Sequence, residues 1–599
     1  MREFTGPGAA TIGPDTNLTE ILWEHERAQP HRAALAHRVG GQFVDVRVQQ
    51  FAERVRRLAA GLIGLGIEPG QRVAVMSRTR IEWTLLDYAI WSAGAVTVPI
   101  YETSAAEQME WILGDSEAVA AIFESVELRS RYDESATRLP ACKHVFVIDD
   151  GGLDELSAHG AEIDDEQVLG RARTVTIEHP ATIVYTSGTT GRPKGCVLTH
   201  GNLVWDLTQV GAGAPELFRD GRSTLLFLPL AHIFGRIIQC VCVAERVKIG
   251  YATDPTKLTE ELPLFQPTFL LSVPRVFEKL YNGAQAKAYA DGKGRIFDVA
   301  SRVAIDHSRG TQVGRVPLKT RALRAVFDKL VYGKLRLAVG GRVEYSVSGG
   351  AALGERLGHF FNGAGITVLE GYGLTETSAG ATLNTPPHLR IGTVGRPLPG
   401  CTVRIADDGE VLIKGGNVFS GYWNDDEATR EALDDEGFLH SGDIGQLDAD
   451  GFLRITGRKK EIIVTAGGKN VAPALLEDRI RAHRLVSQAM VVGDGRPFIA
   501  ALITLDPEEV GRWAEQHGKP GRTPAEVIAD PDLRAEVQTA VDQANRAMSR
   551  AESIRAFRIL PEDFTIDGGE LTPTLKVRRD VVTERHAATI EELYSAASR

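Results

Sequence analysis

The stretch Tyr185-Thr-Ser-Gly-Thr-Thr-Gly-Arg-Pro-Lys-Gly195 constrains this chain more than any other. An apolar, β-branched run over 181–186 leads into it and reads as a strand, and a helical pattern begins near residue 200. Glycines let a backbone turn tightly and bring its N–H groups close to an anion. Hydroxyls from Thr186, Ser187, Thr189 and Thr190 add donors around Gly188, and Arg192 and Lys194 add positive charge. A nucleotide triphosphate needs this combination. It is not a Walker A loop, in which Ser or Thr follows the lysine; here Pro193 precedes the lysine and Gly195 follows it. A Gly/Ser-rich linker is the competing reading, and the tight bracketing by strand and helix disfavours it.

The chain has 599 residues, 43% of them hydrophobic, enough for a large core. Its 68 basic and 79 acidic side chains give a net charge of −11, the opposite of the basic excess a nucleic-acid binder shows. Five cysteines occur without a CxxC pair, which fits buried thiols in a reducing, cytoplasmic setting. The N-terminus lacks the apolar core of a signal peptide, and the longest apolar stretches are broken by charges or turns, so no membrane-spanning segment is expected.

Along the chain, Thr19 is a candidate helix cap and 49–65 reads as an amphipathic helix. Residues 72–77, 95–99, 118–123 and 144–148 read as strands, with a helix over 81–93, an alternation that predicts a parallel, doubly wound layer. A strand over 223–230 precedes His232, well placed for a ligand in an open α/β sheet. A strand over 268–273 runs into Pro274-Arg-Val-Phe-Glu-Lys-Leu-Tyr281, and a helical insertion follows over 281–337. Its end, 321–336, is basic and amphipathic: either a solvated face packed on the core or a membrane-surface face.

A further strand, 344–351, ends in Gly349-Gly350-Ala351, where a flat ring could approach closely. The second strong motif is Gly371-Tyr-Gly-Leu-Thr-Glu376. Tyr372 can stack on adenine with Gly373 leaving room, Thr375 can bond a phosphate, and Glu376 is a hard oxygen ligand suited to Mg²⁺. Asp443, at an expected strand end, could accept both ribose hydroxyls.

These motifs, in this order from about residue 30 to 580, resemble the adenylate-forming enzymes, the group of acyl-CoA synthetases, luciferases and peptide-synthetase adenylation domains. The resemblance implies a large N-terminal domain, 1–459, of doubly wound α/β subdomains plus a β-rich subdomain. A small, mobile α+β domain, 460–599, would follow. It implies that Lys194 and the loop amides hold the β and γ phosphates, that His232 lies beside the carboxyl being activated, and that Asp443 and Arg458 hold the ribose. It makes Lys460 the hinge, places Gly468 beside the path of an incoming thiol, and identifies Lys576, in Leu571-Thr-Pro-Thr-Leu-Lys576, as the catalytic lysine. Most relatives carry glycine before that lysine; here it is Leu575, a mark of the long-chain branch. ATP and CoA would be co-substrates and Mg²⁺ the metal.

Around His232 the chain has no aspartate for a substrate amine and, apart from Arg236, no charged partner for a dicarboxylate, so an uncharged acyl tail is expected. The 274–281 phrase resembles long-chain fatty acyl-CoA synthetases. Two alternatives stay open: a ligase delivering the acyl-adenylate to a carrier protein, and an adenylate-binding protein without turnover.

Overall fold

Valine and alanine runs buried on both faces organise the first part of the molecule. Val73, Ala74, Val75 and Met76 are almost wholly buried in the strand Arg72–Met76 of a seven-stranded sheet. Its order is Gly421–Tyr422, Lys194–Thr199, Pro180–Thr186, Val96–Ile100, Arg72–Met76, Ala120–Phe123 and His144–Val147. The last five strands run parallel, and Lys194–Thr199 pairs antiparallel with its neighbour on each side. Parallel strands need helical cover on both faces, which is why they read as unbroken apolar runs. Helix Ile81–Ser92 is buried at every position but Glu82 and packs on Val48–Gly64, with Phe51 edge-on to Tyr88 at 5.4 Å.

The computed structural model describes all residues except 14–15, 187–191, 255–256, 467, 547, 551, 573–574 and 597–599. The chain divides into two units. The first comprises Met1–Ile405, Leu412–Ser441 and Leu447–Arg454, and the second Ala406–Val411, Gly442–Gln446 and Ile455–Arg599.

Two more α/β sheets complete the framework of the first unit. One runs in the order Ser223–Leu226, Lys248–Tyr251, Ala33–Val39, Gln42–Arg47; the other Phe269–Ser272, Tyr345–Ser348, Thr367–Tyr372, Thr382–Leu383, Arg396–Pro397. They are joined where the Thr268 amide donates to the Ser223 carbonyl at 2.9 Å and the Ser223 amide donates to Thr268 Oγ1 at 2.9 Å. The insertion between Phe269–Ser272 and Tyr345–Ser348 is helical: Pro274–Ala290, Gly294–Gln312, Leu318–Phe327 and Gly333–Ala338. A β-rich sheet follows, ordered Glu3–Thr5, Thr402–Ile405, Glu410–Lys414, Leu439–Leu447, Leu453–Arg458. The chain passes between units within the last three strands.

The second unit is α+β. Val486–Val492 pairs antiparallel, and Ile554–Ile559 parallel, with the central strand Ile499–Leu505. Leu476, Trp513 and Val537 from three helices cover one face; Val582, Leu593 and Tyr594 cover the other with Phe498. The expected α/β architecture with a β-rich part and a small α+β part is therefore met.

Three local expectations are corrected. Asn17, not Thr19, caps the first helix: its Oδ1 accepts from the amides of Thr19 and Glu20, and the buried Thr19, two positions later, donates its own hydroxyl to the same oxygen at 2.7 Å. The Gly-rich loop does not lead straight into a helix; a return strand, Lys194–Thr199, intervenes before His200–Gly213. Asp443 lies within Leu439–Leu447, not at a strand end.

All five cysteines are buried and unpaired. Among the described residues no helix is long and apolar enough to cross a membrane.

Candidate active site

Both ends of the Gly-rich loop are clamped by one antiparallel ladder. Thr186 closes the outgoing strand opposite Lys194 on the return. Ser187, Gly188, Thr189 and Thr190 lie outside the described residues. The chain resumes at Arg192, whose guanidinium sits over Trp111 at 4.6 Å, and Trp111 Nε1 donates to the Pro193 carbonyl at 3.0 Å. Lys194 is half exposed, 3.4 Å from Asp425 Oδ2 and 5.4 Å from the centre of the Tyr422 ring.

Tyr422 arrives by pairing Gly421–Tyr422 on Val197 and Cys196. Its hydroxyl donates to Glu376 Oε1 at 2.8 Å. Burial first, then the neighbouring Glu376 carboxylate, push the phenol far above its ordinary range, so it stays a donor. The Thr375–Thr377 turn carrying Glu376 is held from behind, where the Phe419 amide donates to the Glu376 carbonyl at 2.8 Å. Asp425 caps the helix Asp426–Ala432, accepting from the Ala428 amide; that bond first, then Lys194, hold its carboxyl below the usual range. The fold thus brings Lys194 and Glu376, distant in sequence, onto one tyrosine.

Tyr372 ends the strand Thr367–Tyr372, half-buried, with its carbonyl accepting from the Ala381 amide. Gly373 is demanded by packing: a Cβ there would stand 1.9 Å from the Ala379 carbonyl oxygen. Gly349 is less constrained, since a Cβ would stand 3.3 Å from the Phe234 ring and need only a small shift of it, and Gly350 adopts φ +80° before Ala351. Phe234 belongs to helix Ile233–Ala244, which His232 caps by accepting from the Phe234 amide on Nδ1 at 3.1 Å. In the neutral ring the proton therefore sits on Nε2. One phenylalanine links His232 to the Gly349-Gly350 turn.

Arg236 is not a substrate ligand. Only 1% exposed, it pairs with buried Asp87 at 2.6 Å and donates to Thr182 Oγ1 at 2.7 Å. It ties two helices and a strand together, so the one charged candidate partner for a dicarboxylate is spent on the core.

In the second unit Asp443 Oδ1 accepts from Arg458 Nε at 2.9 Å. Alongside, Glu410 Oε1 accepts from the Gly442 amide at 2.9 Å and Oε2 pairs with Lys459 at 3.0 Å. Lys460 is exposed within the single turn Lys459–Glu461. Gly468 turns the hairpin between Ile463–Val464 and Asn470–Val471 at φ +74°; a Cβ there would meet nothing within 4 Å, so the turn and not crowding selects glycine. Lys576 stands on a second hairpin: its carbonyl accepts from the Thr572 amide at 2.8 Å and its amide donates to Thr572 Oγ1 at 3.1 Å. Leu575 holds the left-handed position, φ +61°.

Among the described residues no group of three or more His, Cys, Asp or Glu could form a metal cage. Mg²⁺ keeps several waters and takes one or two carboxylates plus substrate phosphates, so a single oriented Glu376 fits it. Sequence reasoning missed Tyr422 and Asp425. Their signal, Gly421-Tyr-Trp423 and a helix cap after it, carries no link to residue 376 until strands pair.

Residues 22–423 match the family model of the AMP-binding enzyme, and residues 460–598 match that of the AMP-binding enzyme C-terminal domain. The chain is 51% identical to the long-chain-fatty-acid–CoA ligases FadD15 of Mycobacterium bovis and Mycobacterium tuberculosis, over 99% of this chain and 100% of each relative. It is 32% identical to the peroxisomal long chain acyl-CoA synthetase 7 of Arabidopsis thaliana, over 93% of this chain and 82% of that one. Among solved structures it resembles in fold the adenylation domain of a carboxylate reductase from Mycobacterium chelonae (TM-score 0.74, 22% identity, 97% of this chain and 92% of that one). It likewise resembles a Mycobacterium tuberculosis fatty acyl CoA synthetase (TM-score 0.62, 24% identity, 96% and 99%). With both models matched in order over most of its length, the chain belongs to the AMP-binding, adenylate-forming enzyme family.

Proposed function

We propose that this protein is a long-chain-fatty-acid–CoA ligase: it activates the acid with ATP to an acyl-adenylate and pyrophosphate, then transfers the acyl group to CoA, releasing AMP. The observation that carries this reading is the 51% identity along the full length of two curated ligases.

A carboxylate is a poor nucleophile toward a polyanionic phosphate, and the transferring phosphoryl group needs fixed positive charge and donors around it. Lys194 and the amides of 187–190 would hold the β and γ phosphates. Thr375 would bond a phosphate oxygen, and Tyr372 with the Gly349–Ala351 turn would sandwich the adenine. Mg²⁺, when bound, supplies charge neutralisation on the phosphates, and Glu376, aligned by Tyr422, would hold it. His232 would meet the acid carboxylate through Nε2. Asp443 and Arg458 would bind the ribose, Lys576 would bridge carboxylate and α-phosphate in the first step, and Gly468 would flank the CoA thiol in the second, with Lys460 as the hinge between domains 1–459 and 460–599. Burial of Arg236 in the core supports an uncharged acyl tail. The five buried thiols fit a reducing, cytoplasmic setting.

The test is ATP-dependent thioester formation across acids from acetate to oleate, with AMP and pyrophosphate followed together. Thioester chiefly from long-chain acids is expected. Acyl-AMP accumulating without thioester would reassign the second step to a carrier protein, and no pyrophosphate from any acid would leave a non-catalytic binder.

A further inference from the structure

The helical insertion carries a surface that the ligase chemistry does not use. Eight of the sixteen large apolar side chains that the described residues expose fall between residues 289 and 337, a concentration that scattered surface apolars do not show. Over residues 315–336 seven Arg or Lys stand against one Asp, while the whole chain has a net charge of −11.

The outer side of 318–337 is one continuous stripe. Leu318 is 81% exposed, Val326 52%, Leu330 53% and Leu337 66%. Val326, Lys329, Leu330, Lys334 and Leu337 are exposed while Phe327, Tyr332 and Leu335, interleaved with them across the π-helical turn Asp328–Tyr332, are buried, so the exposed set shares the outer side of this segment. Lys329 and Lys334 are exposed beside them, and with Leu337 they line a cleft of about 400 Å³. The inner side is fully engaged. Phe327, Tyr332 and Leu335 are buried, and the Tyr332 hydroxyl donates to the Ala300 carbonyl at 2.6 Å. Arg324 and Arg336 donate inward, to the carbonyls of Gly363 at 2.8 Å and Ala364 at 2.7 Å. Packing therefore explains the inner face and leaves the outer one unaccounted for.

We propose that the Leu318–Leu337 stripe docks on an anionic lipid surface, its leucines and valine entering the headgroup boundary and Lys329 and Lys334 pairing with lipid phosphates. Lysines are depleted from the core of protein interfaces, whereas here they alternate with leucines at each turn. Long cationic stems lying beside apolar side chains with the charge raised toward headgroups suit a membrane boundary. Seven basic residues against one acidic over 315–336, in a chain of net charge −11, favour docking through this segment. The proposal is independent of the ligase reading.

Full-length protein is sedimented with vesicles of phosphatidylcholine alone or containing about 30 mol% phosphatidylglycerol. Binding to the anionic vesicles at least about tenfold tighter, and weakened by salt, is expected. Lys329→Gln with Lys334→Gln should reduce that binding about thirtyfold, at roughly one unit of surface attraction per lysine. Leu330→Asp with Leu337→Asp should reduce it at least about tenfold. Both positions are exposed, so thermal midpoints should match the wild type; Leu330→Gln with Leu337→Gln replaces any pair that does not. The proposal is overturned if wild-type protein stays in the supernatant with anionic vesicles, or if the variants bind like wild type. It is equally overturned if the leucine substitutions turn an oligomer into a monomer, since a second copy would then cover the stripe.

Discussion

The Tyr422 hydroxyl lies 2.8 Å from Glu376 Oε1, while the same ring stands 5.4 Å from Lys194 Nζ. One side chain sets the direction of the carboxylate assigned to the metal and of the cation assigned to the phosphates. A hydrogen bond to a charged group contributes about 1.5–3 kcal/mol. Tyr422→Phe keeps the ring and loses that bond, so kcat/KM for ATP should fall about tenfold or more, with more Mg²⁺ needed for half-maximal rate. An unchanged Mg²⁺ titration would show that Tyr422 does not orient Glu376.

Lys576 stands on its own hairpin in the second unit, which predicts separable steps. Lys576→Ala should lower pyrophosphate release from acid and ATP by about a hundredfold or more, as removal of a transition-state charge partner does. Thioester formation from supplied acyl-AMP and CoA should persist. Loss of both half-reactions in rapid-quench measurements would refute the division of labour.

Leu575 occupies φ +61° where a side chain costs about 1–2 kcal/mol. Leu575→Gly removes that strain but adds unfolded-state freedom. A net stabilisation of about 0.5–1 kcal/mol is expected in denaturant unfolding, with Leu575→Val moving the other way because branching at Cβ worsens the left-handed conformation. A lower midpoint for the glycine variant would mean the leucine side chain contributes more than its backbone costs.

His200 is buried beneath Trp91, ring centres 6.1 Å apart, and burial pushes its imidazole down to about 3. The unfolded chain binds this proton near the ordinary value of about 6.5. The neutral ring's full stability is therefore present above that value and is lost as pH falls toward 3, by about 1.4 kcal/mol per unit for one proton. Urea midpoints should decline with acidification below neutrality, and His200→Gln should reduce the slope by about one proton. An identical slope in that variant would show that other groups govern acid sensitivity.

The parallel strands were legible because burial on both faces leaves runs such as Arg72–Met76 with little polarity to disguise them. The return strand Lys194–Thr199 was not. It starts with Lys and Gly, both poor strand formers, and takes its structure from a partner, Pro180–Thr186, whose register is set across the loop. The close approach of the Ala379 carbonyl, which by itself demands glycine at 373, is invisible in the motif because it depends on how the chain returns after the Thr375–Thr377 turn. Asp443 and Arg458 were each visible as a charge in a motif, but their contact depends on two strands, Leu439–Leu447 and Leu453–Arg458, lying in one sheet. What linear spacing could not express was proximity created by strand pairing, and Tyr422 is the clearest instance.

The five cysteines carry a practical consequence. Cys142, Cys196, Cys240, Cys242 and Cys401 are all buried and all in the first unit. Burial raises the thiols, Cys142 to about 11 and Cys401 to about 12, so few are thiolate at neutral pH. The folded molecule is silent to maleimides, and its alkylation rate becomes a clock for opening of the large unit alone. A single cysteine engineered on the small unit would accept a dye against a dark background, with no native thiol to remove first.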